Sequence, residues 1–241
     1  MRTASRRMRG INRNSEQSTS LPKKAAWQLP GFFRPPKLAA LHKKNGNVTI
    51  SELGILAALA STCPNGSVLF EIGTFDGRTT LNLALNTAQD ARIVTLDLPQ
   101  GTEPEFELEI GEGHMVEKES SGDLFLSCNH LSTEDQSKIN QEFGDSARFD
   151  FSPYHSLCSL FFVDGSHSYE YAKADSLQAL RSVAPAGMVV WHDYGVWKGV
   201  TRALEELAAE MELDLFHIAG TSLVVWMRSD TGDLRFNHRQ V

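Results

Sequence analysis

Two short segments concentrate residue types that can hold a ligand. Glu71-Ile72-Gly73-Thr74-Phe75-Asp76-Gly77 follows the apolar run Val68-Leu69-Phe70 and precedes Thr79 to Thr87, where apolar residues recur at helical spacing. Glycines at such a strand-to-helix turn let the backbone bend tightly and approach a ligand closely. The free N–H groups and positive dipole end of the following helix suit a carboxylate or a phosphate. Asp97 closes the next apolar run, Arg92-Ile93-Val94-Thr95-Leu96, and lies 24 residues beyond Gly73. A carboxylate at that distance, near the ~20 residues usual in nucleotide-binding folds, can accept both hydroxyls of a ribose. A dinucleotide fingerprint Gly-x-Gly-x-x-Gly fails twice, because Phe75 and Arg78 stand where its second and third glycines belong.

Two further polar groups follow apolar runs. Leu160-Phe161-Phe162-Val163 leads into Asp164-Gly165-Ser166-His167-Ser168-Tyr169, and Met188-Val189-Val190-Trp191 leads into His192-Asp193-Tyr194. The remaining histidines have no partner spacing.

These segments need a frame that brings their ends together. Strand-like runs at Val68–Ile72, Arg92–Asp97, Leu160–Asp164 and Met188–Trp191 alternate with helical spacing at Thr79–Thr87, Ser168–Val183 and Trp197–Met211. Continuous apolar strands between helices predict an α/β fold with a doubly wound, mostly parallel sheet covered on both faces. Leu213–Ile218 and Leu223–Met227 are separated by too short a turn for a parallel crossover, so the last strand is expected to be antiparallel. Ser51 is read as the cap of an earlier helix ending at Ala60. Between 99 and 140 the alternation fails, and this glutamate-rich insertion reads either as a lid or acceptor-binding element or as a solvated excursion. The domain is placed at 41–241, preceded by a flexible basic tail and connector over 1–40, with Phe32 and Phe33 available to pin it.

The net charge of −7 divides unevenly: residues 1–44 carry 11 Lys/Arg against one acidic residue, and the remainder 12 against 29. A body that negative repels a phosphate backbone, which argues against nucleic acid as substrate. Apolar runs fall far short of the ~20 residues that span a bilayer, so no membrane partner is expected. The three cysteines form neither a zinc spacing nor a disulfide framework, which suits a reducing cytoplasm.

Glu71-x-Gly73-x-x-x-Gly77 followed by Asp97 resembles the first two cofactor motifs of class I S-adenosylmethionine-dependent methyltransferases, and Gly144-Asp145-Ser146 resembles the third. The Asp164 to Tyr169 and Gly187 to Tyr194 stretches are similar to small-molecule O-methyltransferases acting on macrolide sugars and aminocoumarins. The resemblance spans roughly 50–228 and implies a seven-stranded sheet. It implies S-adenosylmethionine held by Glu71, Gly73, Thr74, Phe75, Gly77, Asp97, Asp145, Ser146 and Asp164. It further implies a divalent metal, magnesium or manganese, on Asp164, His192 and Asp193, with Asp164 sharing in catalysis. His192 departs from the acidic pair of the family, and Phe75 stands where many members have glycine. His167 is the candidate general base, since an imidazole titrating near ~6.5 can take a hydroxyl proton. Tyr169 and Tyr194 are candidate acceptor-site residues. The expected acceptor is a small molecule or sugar, and the N-terminal segment offers an arm for a homo-oligomer. The alternatives are a nicotinamide-dependent oxidoreductase, a metal-dependent oxygenase and a non-catalytic S-adenosylmethionine-binding protein.

Overall fold

The apolar runs become the interior of an eight-stranded sheet in a computed structural model that describes residues 19–42, 48–127 and 131–229. In chain order the strands are β1 Lys23–Lys24, β2 Val68–Ile72, β3 Arg92–Asp97, β4 Ile139–Phe143, β5 Cys158–Val163, β6 Val183–Trp191, β7 Phe216–Ile218 and β8 Val224–Met227. Their spatial order is β1-β7-β8-β6-β5-β2-β3-β4. Pairs from β6 through β4 are parallel, and β8 runs antiparallel between β6 and β7. The antiparallel ending therefore appears as expected, whereas the expected seven strands become eight because β1 pairs with the outer edge of β7.

Side chains alternate across the sheet, and both faces are covered. Phe70, Phe161, Val163, Val189 and Trp191 join one core with Leu180 of α6 (Tyr169–Ser182) and Leu204 of α7 (Lys198–Glu210). Leu69, Ile93, Leu160, Phe162 and Val190 join the other with Leu53, Leu56 and Leu59 of α1 (Ile50–Ala60) and Leu83 of α2 (Arg78–Asn86). Burial on two faces explains why these strands read as unbroken apolar runs.

Three local expectations are corrected. The cap of α1 is Thr49, whose hydroxyl accepts from the Glu52 amide while the Glu52 carboxylate accepts from the Thr49 amide; Ser51 lies inside the helix. Part of the tail expected over 1–40, residues 1–18, lies outside the described residues, but 19–40 packs on the domain. Leu21 and Leu29 are buried there, while Phe33 is 84% exposed, so the leucines and not the phenylalanine pair fasten the segment. The insertion ends at residue 138, where β4 begins, and carries three one-turn helices: α3 Gly113–Val116, α4 Asp123–Leu126 and α5 Thr133–Gln136. Cys63 and Cys158 are free thiols, and Cys128 lies outside the described residues.

Candidate active site

The carboxyl ends of β2, β3, β4 and β5 open into one cleft of about 930 Å³, counting its mouth. Gly73, Thr74, Phe75, Asp97, Asp145, Ser146, Asp164 and His167 all line it. Ligand clefts of open α/β sheets form at this edge.

At the β2–α2 turn, Gly73 has φ +97°, and a Cβ there would run into the Asp164 carbonyl. Phe75 holds the left-handed conformation, φ 49°, at the position where the resemblance expects glycine. Arg78 and Thr79 of the first turn of α2 face the cleft, which places the helix N-terminus beside any bound anion. Glu71 and Gly77 do not line the cleft. Gly77, φ +81°, is the N-cap residue of α2 and leaves room for the Phe125 ring. Glu71 lies beneath the floor, where its carboxylate accepts from the Thr80 and Thr95 hydroxyls (Thr95 at 2.6 Å). Burial outweighs those two bonds and pushes Glu71 up to about 8. Asp145 accepts from the Tyr171 hydroxyl at 2.8 Å and from the Glu105 amide at 2.7 Å.

Beyond Asp164 the site becomes an alternation of imidazoles and carboxylates. His192 Nδ1 lies 2.9 Å from Asp164 and 3.1 Å from Asp193, and its Nε2 lies 3.4 Å from Glu52. His167 Nε2 lies 2.7 Å from Asp193, its Nδ1 2.9 Å from Glu112, and its ring stacks on Trp197 at 4.5 Å. Burial alone would depress both histidines. The surrounding carboxylates win: Asp193 and Glu112 lift His167 to about 10, and Asp164 and Asp193 raise His192 well above its ordinary value. Burial would raise Asp193, but His192 and His167 hold it below the usual carboxylate range. Asp164 moves the other way, burial outweighing His192. These carboxylates favour the protonated form of both imidazoles, and with a carboxylate against each ring nitrogen His167 presents no free lone pair.

The three residues expected to hold a metal are brought together: one donor atom from each of Asp164, His192 and Asp193 lies within 4.8 Å of the others. The donor set fits a cation. Once a cation displaces its Nδ1 proton, His192 would keep Nε2–H directed at Glu52 and present its Nδ1 lone pair to the side of both aspartates, the carboxylate-backed arrangement common to metal-bound histidines.

Other expectations do not hold. The Tyr194 hydroxyl donates to Glu205 and accepts from the Leu21 amide, and the Tyr169 hydroxyl donates to Glu206, so neither tyrosine lines the cleft. Tyr171, two residues beyond Tyr169, does. The insertion supplies Leu108, Glu112, Met115, Val116 and Lys118 to the lining, which makes it a cover. Glu112 carries no distinguishing signal among seven glutamates between 103 and 119, whereas Glu52 was readable from the capping box Thr49-x-x-Glu52.

A family profile described as a methyltransferase domain matches residues 70–194. A search of curated proteins finds no match. A Corynebacterium glutamicum protein is similar in fold at TM-score 0.56 and 15% identity, covering 80% of this chain and 84% of its own. A putative O-methyltransferase from Klebsiella pneumoniae superposes at 0.52 and 16% identity over 77% and 84% of the two chains. An O-methyltransferase from Bacillus cereus in complex with SAH superposes at 0.50 and 15% identity over 77% and 84%.

Proposed function

The chain belongs to the methyltransferase-domain family, and from that premise we propose that it transfers the methyl group of S-adenosylmethionine to a hydroxyl of a small molecule or sugar. The observation that carries this reading is the single cleft that gathers the glycine turn, Asp97, Asp145, Ser146 and His167. The SAH (S-adenosylhomocysteine) bound to the Bacillus cereus relative and the O-methyltransferase names of two relatives support the cofactor and the hydroxyl acceptor.

In this reading the turn Gly73-Thr74-Phe75 and the N-terminus of α2 hold the methionine end, Asp97 the ribose, and Asp145 and Ser146 the adenine. The sulfonium methyl is already activated, so the protein's work is alignment and proton removal. Alignment turns a bimolecular displacement into a nearly unimolecular one. His167, with Asp164 beside it, faces the acceptor. It can take a proton only when one of its two carboxylates is engaged elsewhere, and Asp193 also belongs to the metal-ligand triplet. A divalent metal on Asp164, His192 and Asp193 would lower the pKa of the acceptor hydroxyl. One imidazole donor favours manganese over magnesium, which prefers oxygen ligands.

The acceptor is a small molecule and neither nucleic acid nor membrane. The acidic body disfavours a phosphate backbone, and among the described residues no helix is long and apolar enough to cross a membrane. The cysteine pattern suits a cytoplasmic site.

The test is thermal stability of the purified protein with SAH and, separately, with NAD. At about 100 times its dissociation constant, SAH is expected to add roughly 2.7 kcal/mol. A shift with NAD alone, or none with either, would sink the reading. Mn²⁺ is expected to add a further shift that Asp193→Asn abolishes.

A further inference from the structure

Asp97, the residue that must accept the ribose hydroxyls, is already taken. Lys118 Nζ lies 2.7 Å from each of its oxygens, and the Ser121 hydroxyl donates to Oδ2. The pair is largely shielded from water, Lys118 being 15% and Asp97 6% exposed. The contact is not an accident of a loose loop. The Gly122 amide donates to the Phe75 carbonyl and the Leu124 amide to the Asp76 carbonyl, both at 2.9 Å, so this part of the insertion is bolted to the glycine turn. Ser121 in turn accepts from the Gln141 side chain of β4 at 2.9 Å. At the other end of the cleft the Glu105 amide occupies Asp145 in the same way, and the Phe106 ring packs on Tyr171 at 5.2 Å.

We propose that Lys118 and Ser121 are affinity-determining residues of the cofactor site, acting as an internal competitor for the ribose-binding carboxylate. This rests on the methyltransferase reading. A bound nucleoside must exchange one ammonium and one hydroxyl on Asp97 for its own two hydroxyls. No covalent change is involved. The cofactor therefore binds more weakly than the cleft alone would allow, and its arrival loosens the cover over the acceptor side.

SAH titrated calorimetrically into the full chain and its variants decides the matter. Lys118→Met is expected to bind SAH roughly fivefold tighter than the wild type, in line with loss of one shielded ion pair. Ser121→Ala should shift the affinity the same way and by less. Lys173→Met, whose partners Glu206 and Glu210 lie on α7, should leave it unchanged. A second readout does not depend on any variant folding. Amide hydrogen exchange of the wild type over residues 117–121 should speed up when SAH is bound, because the ligand displaces Lys118 and Ser121 from Asp97. Equal or weaker binding by a folded Lys118→Met protein, or exchange over 117–121 that SAH slows, would overturn the competitor role while leaving the methyltransferase reading intact. Absence of SAH binding by wild type and variant alike would overturn both.

Discussion

His167 is clamped from both ring nitrogens and stacked on an indole, which fixes its position and holds its proton until a carboxylate moves away. His167→Gln should therefore reduce methyl transfer by about 10²–10⁴-fold, the usual worth of a positioned base, while SAH affinity by calorimetry barely moves. A comparable loss of both would remove His167 from proton transfer. Glu71 makes a different prediction. Its folded pKa, near 8, lies above its unfolded value, so the unfolded chain releases the proton first as pH rises. The stability this residue contributes is complete below about pH 4.5 and is lost as pH climbs through 8. Each unit of difference is worth about 1.4 kcal/mol, so urea unfolding of the wild type should weaken by a few kcal/mol across that window. Glu71→Gln should flatten the slope; an unchanged slope would show that Glu71 is ionised in the fold.

At the level of elements, the insertion is fastened to the domain through one buried ring. Phe125 is 2% exposed and fits against Gly77 and Gly122, neither of which leaves room for a side chain. Phe125→Ala should speed cleavage within 103–127 by a glutamate-specific protease, while removing about 3 kcal/mol or more from the cover's own stability. Unchanged cleavage would mean that the backbone bonds to Phe75 and Asp76 hold the cover without the ring. The strands leading into the cleft were legible because burial on both faces writes an unbroken apolar run, and β2 and β3 begin and end where the runs do. The glycine turn, Asp97, Asp164 and the His192-Asp193 pair were legible for the same reason, since each sits where a run stops. What escaped the sequence had no such anchor. β1 is two exposed lysines, placed by Leu21 and by backbone pairing to β7. Glu112 and Lys118 reach the site through tertiary folding of a stretch whose composition is nearly uniform.

Over the whole molecule, the sheet joins two cores, and Glu52 ties its rim together. From the start of α1 this one carboxylate accepts from the Ser222 amide at 2.7 Å, from the Thr49 amide at 2.8 Å and lies against His192, linking α1, the β7–β8 turn and the end of β6. Burial would raise its pKa, yet these bonds hold it below the usual carboxylate range, so it is a charged bolt in a buried place. Glu52→Leu should cost about 3 kcal/mol or more in denaturant unfolding, because His192 and the Ser222 amide both lose their partner. The far edge of the same sheet has another consequence. An unpaired strand edge is a template on which a neighbouring molecule can add its own strand, and β7 would offer one if β1 did not lie along it. The strand that covers it is only two residues long, and both are exposed lysines, so a second molecule meets positive charge where it would otherwise find free backbone. Replacing Lys23 and Lys24 by valine should shift sedimentation toward dimers and larger species, and a mass distribution unchanged by both substitutions would show that the edge is closed by backbone alone. The segment expected from its composition to be part of a flexible tail thus serves to keep one copy of the sheet from extending into the next.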